Sequence, residues 1–453
     1  MKEIKRNKMA TMPVGKLLMS MSLPAMFSML IQSLYNIVDT IYISRVSEEA
    51  VFTMTIVFPM QIILISLALG GAIGTSTIIA RRLGQNDHEE ANKTASTGFL
   101  LAIFHTILCC IFGFLIIEPF LKLFTSDAAI IEMGKSYLSI VMTFSFGIYL
   151  GIYFERLLQS QGNTIIPMCS LIVGALSNII LDPIFIFGFG FIPAMGIKGA
   201  AIATVAGQIM GMLFIAAWST IGKHEVKIQF KGLHLKWERI KEIYAIGLPV
   251  TIMNAIGAFA NMAVNAVVVS YSAVAVSSLG LYFKLSSFVF MPVFGLNQGS
   301  LPILSFNYGA QDEERYTSVL KKYLISVIVI MGCGTILFWL QTDFLISFFS
   351  VSDSLRASTR EVLRIISLSF IGFGICIFLI TVFQSFGNAL VGMVISILRQ
   401  IVFLVPLVYI LGRLFGIDAV WYAYLIAECL VVALFVPRCY KTYKNAFKGV
   451  KNV

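Results

Sequence analysis

The sequence predicts an all-α membrane protein of twelve transmembrane helices, arranged as two six-helix bundles. Three observations predict this fold: a very apolar composition, apolar segments of membrane-spanning length, and a second half that repeats the first. The 453 residues are 58% hydrophobic and only 12% charged, against about 25% charged residues in soluble domains. So few charged side chains cannot cover the surface of a soluble protein of this length. The composition therefore excludes a soluble enzyme, a nucleic-acid-binding domain and a disordered scaffold.

Twelve apolar segments are long enough to cross a bilayer, whose core of about 30 Å requires roughly 20 helical residues. Several contain an internal proline, which a membrane helix tolerates where neighbours satisfy the freed backbone groups. No ten-residue alternation of apolar and polar residues recurs, so a transmembrane barrel is not expected. In chain order, the predicted helices are 17–43, 52–80, 93–117, 133–157, 164–190, 197–220, 243–270, 276–306, 318–341, 362–386, 389–412 and 417–437.

The distribution of basic residues predicts how these helices cross the membrane. With a cytoplasmic N-terminus, 23 of the 33 lysines and arginines fall on the cytoplasmic side and eight on the other side, while Lys284 and Arg399 lie inside spans. Cytoplasmic loops of membrane proteins carry an excess of basic residues. We therefore expect both termini in the cytoplasm, and the net charge of +10 needs no nucleic-acid partner.

The second half of the chain repeats the first at an offset of 225 residues. The longest polar interruption separates six spans from six, so both halves insert with the same orientation and form a parallel pseudo-twofold repeat. We predict an N-terminal bundle at 1–220, a cytoplasmic linker at 221–242 and a C-terminal bundle at 243–453. The glycine pairs 70/74 and 295/299 are expected to pack helices closely within each bundle. Equivalent pairs include Pro24 and Pro249, Asn36 and Asn261, Gly70 and Gly295, Gly74 and Gly299, Asp87 and Asp312, and Asn163 and Asn388.

Carboxylates inside the spans are candidate sites, since one at the bilayer centre costs roughly 2.5 kcal/mol or more. Asn178 and Asp182 lie one helical turn apart on one face of the fifth span, and Pro183 weakens the backbone beside them. Asp39 lies at a compatible depth in the first span, and its repeat partner is Val264. Because only the first bundle keeps an acid at this repeated position, we predict that it binds a coupling ion, whereas the second bundle mainly moves and packs. The alternative is that both acids merely hydrogen-bond neighbouring helices.

Other ionisable residues give weaker signals. Glu155 lies near the cytoplasmic end of the fourth span beside Arg156, which suits an interfacial ion pair as well as a substrate-binding role. His105 is more typical of a satisfied core histidine than of a proton relay. Structural or snorkelling roles are the usual interpretation for the remaining charged residues in spans, which are Glu428, Lys284 and Arg399.

Sequence motifs of enzymes and of nucleotide hydrolysis are missing from the chain. It has no G-x-x-x-x-G-K-[ST] loop, no H-E-x-x-H and no G-x-S-x-G. We therefore expect a protein that is not an enzyme, needs no cofactor and works without an ATPase subunit. Energy for uphill transport would come from an ion gradient.

At this point the residues resemble a known family, the multidrug and toxic compound extrusion (MATE) family. The resemblance covers nearly the whole chain and is most specific in the segments that contain the aspartates. It implies a secondary antiporter with two six-helix bundles in a V shape around a central cavity. The segments that carry it are SLPAMFSMLIQSLYNIVDTIYI at 22–43, LGQND at 83–87, SNIILDPIFIFG at 177–188, GIKGAAIATVAGQ at 196–208 and FVFMPVFGLNQG at 288–299.

The resemblance also implies roles for individual residues. Asp39 matches the family's coupling aspartate, and Asn178 and Asp182 match the polar pair of the fifth span. Thr204 matches the hydroxyl residue of the sixth span, and Tyr35 is expected to support the same network. The coupling ion would be H⁺ or Na⁺, with Na⁺ held at Asp39, Asn178 and Asp182.

A substrate path is expected beside this ion site. We assign to it Glu155, Asn36 and Gln32. Glu155 stands where relatives vary in polarity and often carry asparagine, so this position bears on the identity of the ion as well.

The function predicted from the resemblance is efflux of amphipathic, cationic compounds in exchange for H⁺ or Na⁺ by alternating access. We expect a monomeric, multi-pass protein of a prokaryotic plasma membrane, with small molecules and the lipid bilayer as its partners. The main alternative is a flippase for a lipid-linked sugar or another polar lipid of the same superfamily, which would need basic residues lining its cavity. A membrane-embedded enzyme and a passive channel are further alternatives, but no catalytic cluster and no polar ring supports them.

Overall fold

The computed structural model describes residues 7–222, 224–230, 234–349 and 352–448. These residues form α-helices, one π-helical segment and connecting turns, with no β-strand in the described ranges. In chain order the helices are α1 (Lys8–Thr11), α2 (Val14–Ser44), α3 (Glu48–Gly84), α4 (His88–Lys122), α5 (Ala128–Thr143), α6 (Phe146–Ser160), α7 (Ile165–Phe187), α8 (Ile197–Ile221), α9 (Trp237–Val269), α10 (Ala273–Gly309), α11 (Glu313–Leu340), α12 (Thr342–Ser347), α13 (Asp353–Ser367), α14 (Phe370–Ser385), α15 (Ala389–Ile397), the π-helical segment (Leu398–Leu404), α16 (Val405–Phe415), α17 (Ile417–Val420) and α18 (Tyr422–Ala446).

The helices confirm the predicted all-α membrane fold. Within the described ranges, ten helical segments are long and apolar enough to cross a membrane. Two further spans are broken helices, α5 with α6 and α13 with α14, bent by 46° and 45°. Counting each bent pair as one span gives the twelve predicted crossings. The separation between the two breaks, at 144–145 and 368–369, differs by one residue from the repeat offset. The sequence does not reveal these breaks, because the apolar segments are continuous through them.

The turns of the two halves show the predicted repeat at the level of single hydrogen bonds. Ser47 caps α3 and Ser272 caps α10, each through its side-chain oxygen. Asp87 accepts a hydrogen bond from the backbone N–H of Glu90 at 3.0 Å, and Asp312 makes the equivalent cap on α11. Such caps satisfy backbone N–H groups that a helix leaves unpaired at its start. Long helices therefore begin at the same positions in both halves.

Backbone contacts divide the chain into two compact units. The first contains Asn7 and Phe27–Thr251, and the second contains Lys8–Met26 together with the described residues of 252–453. Residues 8–26 thus group with the second half, and residues 243–251 group with the first. How the spans divide into bundles within the membrane, predicted as 1–220 and 243–453 around a linker at 221–242, stays a prediction.

Glycine contacts in the first unit explain why residues 243–251 belong to it. A Cβ on Gly70 would lie 2.5 Å from the carbonyl oxygen of Gly247, and a Cβ on Gly74 would lie 3.1 Å from the Gly247 nitrogen. Only glycine allows α3 and α9 to approach this closely, as in other small-residue helix contacts. The predicted close packing is present, but its partner is a helix of the other repeat half. Both helices of this contact nevertheless belong to the same compact unit.

The second unit has the equivalent contact. A Cβ on Gly295 of α10 would lie 2.5 Å from the backbone nitrogen of Met26, and one on Gly299 would lie 2.8 Å from that of Ser22. Both partners belong to α2. The start of α2, in the first half of the chain, thus belongs to the second unit, and the start of α9, in the second half, belongs to the first unit.

The predicted linker is attached to the first unit wherever the structure describes it; residues 223 and 231–233 lie outside the described part. The backbone N–H of Lys227 donates to the Asn92 side chain at 2.7 Å, and that of Gln229 donates to Ser96 at 2.8 Å. Arg239 forms an ion pair with Glu90 at 3.0 Å. These contacts hold the segment against the start of α4.

Candidate functional site

Asp182 and Asn178 lie together inside the first unit, on the face of α7 that the sequence predicted. The Asn178 Nδ2 donates a hydrogen bond to the Asp182 Oδ1 at 3.2 Å. Both residues are buried: Asp182 is 0% exposed and Asn178 is 2% exposed. Because proline has no N–H, Pro183 leaves the helical carbonyl of Ile179 without its usual donor. The spacing of four residues thus gives a fixed amide–carboxyl pair beside a weakened turn of helix.

Two other helices bring the remaining predicted ion-site residues to this pair. Asp39 of α2 lies close enough to Asp182 for their carboxyl groups to interact electrostatically. The hydroxyl group of Tyr35, one turn earlier on α2, lies beside the side chain of Thr204 on α8. The structure therefore brings together all five residues predicted for the ion site, and all five belong to the first unit. We call them, with Gln61 and Tyr137 described next, the carboxyl cluster.

Sequence reasoning missed two members of the carboxyl cluster. The Gln61 Nε2 on α3 donates to the Tyr137 hydroxyl on α5 at 2.7 Å. Tyr137 is buried and faces Thr204, and both aspartates act on it electrostatically. Gln61 could have been noticed, because it is the polar amide in an otherwise apolar stretch of the second span. No feature of the sequence marks Tyr137, whose place in the cluster depends on how α5 packs against α8.

Several oxygen atoms of the carboxyl cluster lack a hydrogen-bond donor. Asp39 Oδ1, Asp182 Oδ2, Asn178 Oδ1 and Thr204 Oγ1 are all buried without a partner in the described part of the chain. Burying polar oxygens in this way is unfavourable unless something satisfies them. Carboxylate, amide and hydroxyl oxygens are the ligands that hard cations accept, and a proton would neutralise one carboxylate. The arrangement is thus suited to binding a small cation or a proton.

The residues predicted for the substrate path are not brought into this cluster by any contact among the described residues. Glu155 has the charge of its neighbour Arg156 as its electrostatic partner, and Arg156 donates to the Gln159 side chain at 2.9 Å. The side chain of Asn36 is exposed and that of Gln32 is half-buried. The assignment of Glu155, Asn36 and Gln32 to a substrate path stays a prediction.

The second unit contains a buried ion pair, formed by two of the charged span residues for which a structural role is the usual interpretation. Arg399, in the π-helical segment, donates to Glu428 of α18 at 3.1 Å, and the two side chains are 11% and 9% exposed. The guanidinium group also lies 4.7 Å from the centre of the Phe373 ring. Val264, equivalent to Asp39, is buried and apolar as the repeat indicated. The second unit thus neutralises its carboxylate with its own arginine, whereas the carboxyl cluster has no basic partner among the described residues.

Comparisons with known proteins place the chain in a family. The MatE family model matches it twice, over residues 24–184 and 249–410, and the two matches begin 225 residues apart. A multidrug export protein, MepA, from Staphylococcus aureus is 24% identical over 427 residues, which cover 94% of this chain and 93% of that protein. A FAD transporter from Shewanella oneidensis is 25% identical and covers 94% of each chain.

Solved structures agree with this result at the level of the fold. A multidrug resistance MATE family transporter of the MOP superfamily, solved in an outward-facing conformation, matches with a TM-score of 0.93 at 22% identity, covering 99% of this chain and all of that one. A MOP superfamily transporter from Pyrococcus furiosus matches with a TM-score of 0.92, also at 22% identity, over 98% of this chain and 99% of that one. The class of protein is thus a multi-pass membrane transporter rather than an enzyme. The chain belongs to the MatE family.

Proposed function

We propose that this transporter exports amphipathic, cationic compounds in exchange for H⁺ or Na⁺ by alternating access. The observation that carries the proposal is the set of unpaired, buried oxygens at Asp39, Asp182, Asn178 and Thr204. The similarity to the multidrug export protein of Staphylococcus aureus supports the substrate class. The excess of basic residues in alternate loops supports cytoplasmic termini, and a prokaryotic plasma membrane is the proposed location.

The geometry suggests how ion binding would drive the cycle. Without a cation, two carboxyl groups share one buried site and repel each other if both are charged. Uptake of a proton would neutralise one carboxylate, and uptake of Na⁺ would place a positive charge between the two. Either removes the repulsion and allows α2, α7 and α8 to approach one another. Release of the ion reverses the change. A substrate that binds better to the ion-free form would then be displaced when the ion binds, and the coupling is reciprocal by thermodynamic necessity.

Export of an anionic or lipid-linked substrate is the second candidate, and the similarity to a FAD transporter is the observation in its favour. Recognition of a pyrophosphate would require free basic groups. Of the two basic residues predicted inside spans, Arg399 is paired with Glu428, which leaves Lys284. We therefore rank export of cationic compounds first.

Proteoliposomes with imposed ion gradients test the proposal. Asp39→Asn and Asp182→Asn remove one charge each while keeping the size of the side chain. We expect each to reduce gradient-driven efflux of a fluorescent cation about tenfold or more, within the usual range of coupling energies. Glu132→Gln is the matched control, because Glu132 is an exposed carboxylate on α5. Undiminished efflux by both aspartate variants would refute the proposal, and separate H⁺ and Na⁺ gradients identify the ion.

A further inference from the structure

A buried histidine lies in the same unit as the carboxyl cluster but apart from it. His105 of α4 is buried, and its Nε2 forms a hydrogen bond with the Tyr244 hydroxyl at 2.7 Å. Its other ring nitrogen, Nδ1, has no hydrogen-bond partner among the described residues. That nitrogen faces Gly71 of α3, where a Cβ would lie only 3.5 Å from it. An imidazole with one nitrogen bonded and the other open can take up and pass on a proton.

The space beside His105 is lined by small residues of α3 and α4 and by two tyrosines of α6. It forms a small cavity with room for about one water molecule. Tyr149 lines the cavity and is 2% exposed, and its hydroxyl group is buried without a hydrogen-bond partner in the described ranges. Tyr153 also borders it, but its hydroxyl donates to the carbonyl of Ala95 at 2.7 Å and is therefore occupied. Of the residues that line this cavity, His105 and Tyr149 thus each keep a polar atom without a hydrogen-bond partner in the described part of the chain.

Unpaired polar atoms continue from the carboxyl cluster toward this cavity. Gln208 lies one turn beyond Thr204 on α8, and its Oε1 is buried without a partner among the described residues. The backbone of Gln208 lies against Gly147, at the start of α6. Ser145, two residues before Gly147, is fully buried and its hydroxyl is likewise unpaired there. Polar groups therefore follow one another along α8 and the break between α5 and α6.

A further contact links this series to α4, the helix that carries His105. The Cys109 thiol, one turn from His105 on α4, interacts with the side chains of both Ser145 and Tyr149. Tyr137 of the cluster and Tyr149 at the cavity lie on the two helices that meet at this break, α5 and α6.

At its far end the series leads to the surface of the first unit. Tyr244 is half-buried near the start of α9. Two residues earlier, Glu242 is half-exposed and pairs with Arg82 at 3.4 Å, at the end of α3 predicted to be cytoplasmic. The rings of Tyr149 from α6 and Tyr244 from α9 lie 6.3 and 5.8 Å from the imidazole ring, and α3 contributes Ala68, Gly71 and Ala72 to the cavity beside it. No charged side chain contacts the imidazole among the described residues.

We propose that these groups form a proton route through the first unit, from the carboxyl cluster to Tyr244, with His105 as its proton-exchanging group. A proton arrives at the His105 Nδ1 and converts the ring to imidazolium. The Nε2 proton passes to the Tyr244 oxygen while the hydroxyl proton of Tyr244 leaves to water at the surface. One proton enters and one leaves, and the tyrosine stays neutral. The inference rests on the proposed function with H⁺ as the coupling ion.

Two variants that interrupt the route test it. His105→Gln removes the titratable ring, and Tyr244→Phe removes the hydroxyl while keeping the aromatic ring. Tyr153→Phe is the matched control, because Tyr153 borders the same cavity with an occupied hydroxyl. We expect proton-driven efflux of a fluorescent cation from proteoliposomes to fall about tenfold for both test variants and to stay within about twofold for the control.

Substrate counterflow separates the route from the transport cycle itself. Exchange of labelled for unlabelled substrate without an ion gradient needs no net proton release, so we expect both test variants to retain it. Loss of counterflow as well as efflux in Tyr244→Phe would overturn the proposal, and this variant decides if His105→Gln does not fold. If His105→Gln and Tyr244→Phe both keep full proton-driven efflux while Asp39→Asn loses coupling, the proton route is overturned and the proposed function is not. Retained coupling in the aspartate variants would instead refute the proposed function, and efflux driven by Na⁺ but not H⁺ would exclude a proton route.

Discussion

Gly299→Ala tests whether close backbone packing holds the start of α2 in the second unit. The added Cβ would lie 2.6 Å from the Ser22 Oγ and 2.8 Å from both its nitrogen and its Cα. Ordinary contacts of a methyl group are about 3.5–4.0 Å, so α2 would have to move by roughly 1 Å. Overpacking of this kind costs about 1–3 kcal/mol. Part of this cost is offset by the better helix propensity of alanine, which contributes at most about 1 kcal/mol.

The same helix offers the matched control. A Cβ at Gly280 of α10 would meet no atom within 4 Å, so Gly280→Ala keeps the propensity gain without the clash. We expect Gly299→Ala to be less stable than Gly280→Ala by about 1–3 kcal/mol, the cost of overpacking. Unfolding in detergent, followed by tryptophan fluorescence against a denaturant series, measures the difference.

A double variant distinguishes which atoms cause the clash. Ser22→Gly removes the hydroxyl group but leaves the Ser22 backbone, which is as close as 2.8 Å to the added Cβ. We therefore expect Ser22→Gly to rescue Gly299→Ala only slightly. Equal stability of Gly299→Ala and Gly280→Ala would refute the reasoning, because it would show that α2 accommodates the methyl group without loss.

Three further predictions concern buried polar contacts. Glu428→Gln leaves the Arg399 guanidinium without its counter-charge and should destabilise the protein by about 3–5 kcal/mol. The double change Arg399→Met with Glu428→Leu should recover most of this stability in the same unfolding measurement. If the double variant recovers none of it, an uncompensated charge is not the cause. Tyr137→Phe removes a hydroxyl group from the carboxyl cluster. Because one hydrogen bond contributes about 0.5–1.5 kcal/mol, the coupling-ion concentration that gives half-maximal efflux should rise about two- to tenfold. An unchanged ion dependence would place Tyr137 outside the site. Arg239→Ala removes a charged hydrogen bond of 3.0 Å to Glu90 and should destabilise the protein by about 1.5–3 kcal/mol. Increased proteolysis within residues 224–230 of this variant would show that the linker is released.

The sequence was sufficient for the features that depend on local pattern. The length of each apolar segment predicts a span because a helix rises by a constant amount per residue. The offset of 225 residues predicts the equivalent caps at Asp87 and Asp312, since a side-chain cap involves only residues within one turn. The pairing of Asn178 with Asp182 follows from the helical period alone. These features needed no knowledge of how the helices pack.

Only the tertiary structure decided which helices meet. Arg399 and Glu428 are 29 residues apart in the chain, and Gln61 and Tyr137 are 76 apart. Neither pair follows a period that a sequence reveals. The partners of Gly70 and Gly299 lie in the opposite half of the repeat, because the contact depends on the path of α2 and α9 rather than on the glycine spacing. The sequence by itself thus determined the membrane helices, their repeat and the acidic residues that need an ion, whereas long-range packing decided which groups surround those acids and which acid has its own arginine.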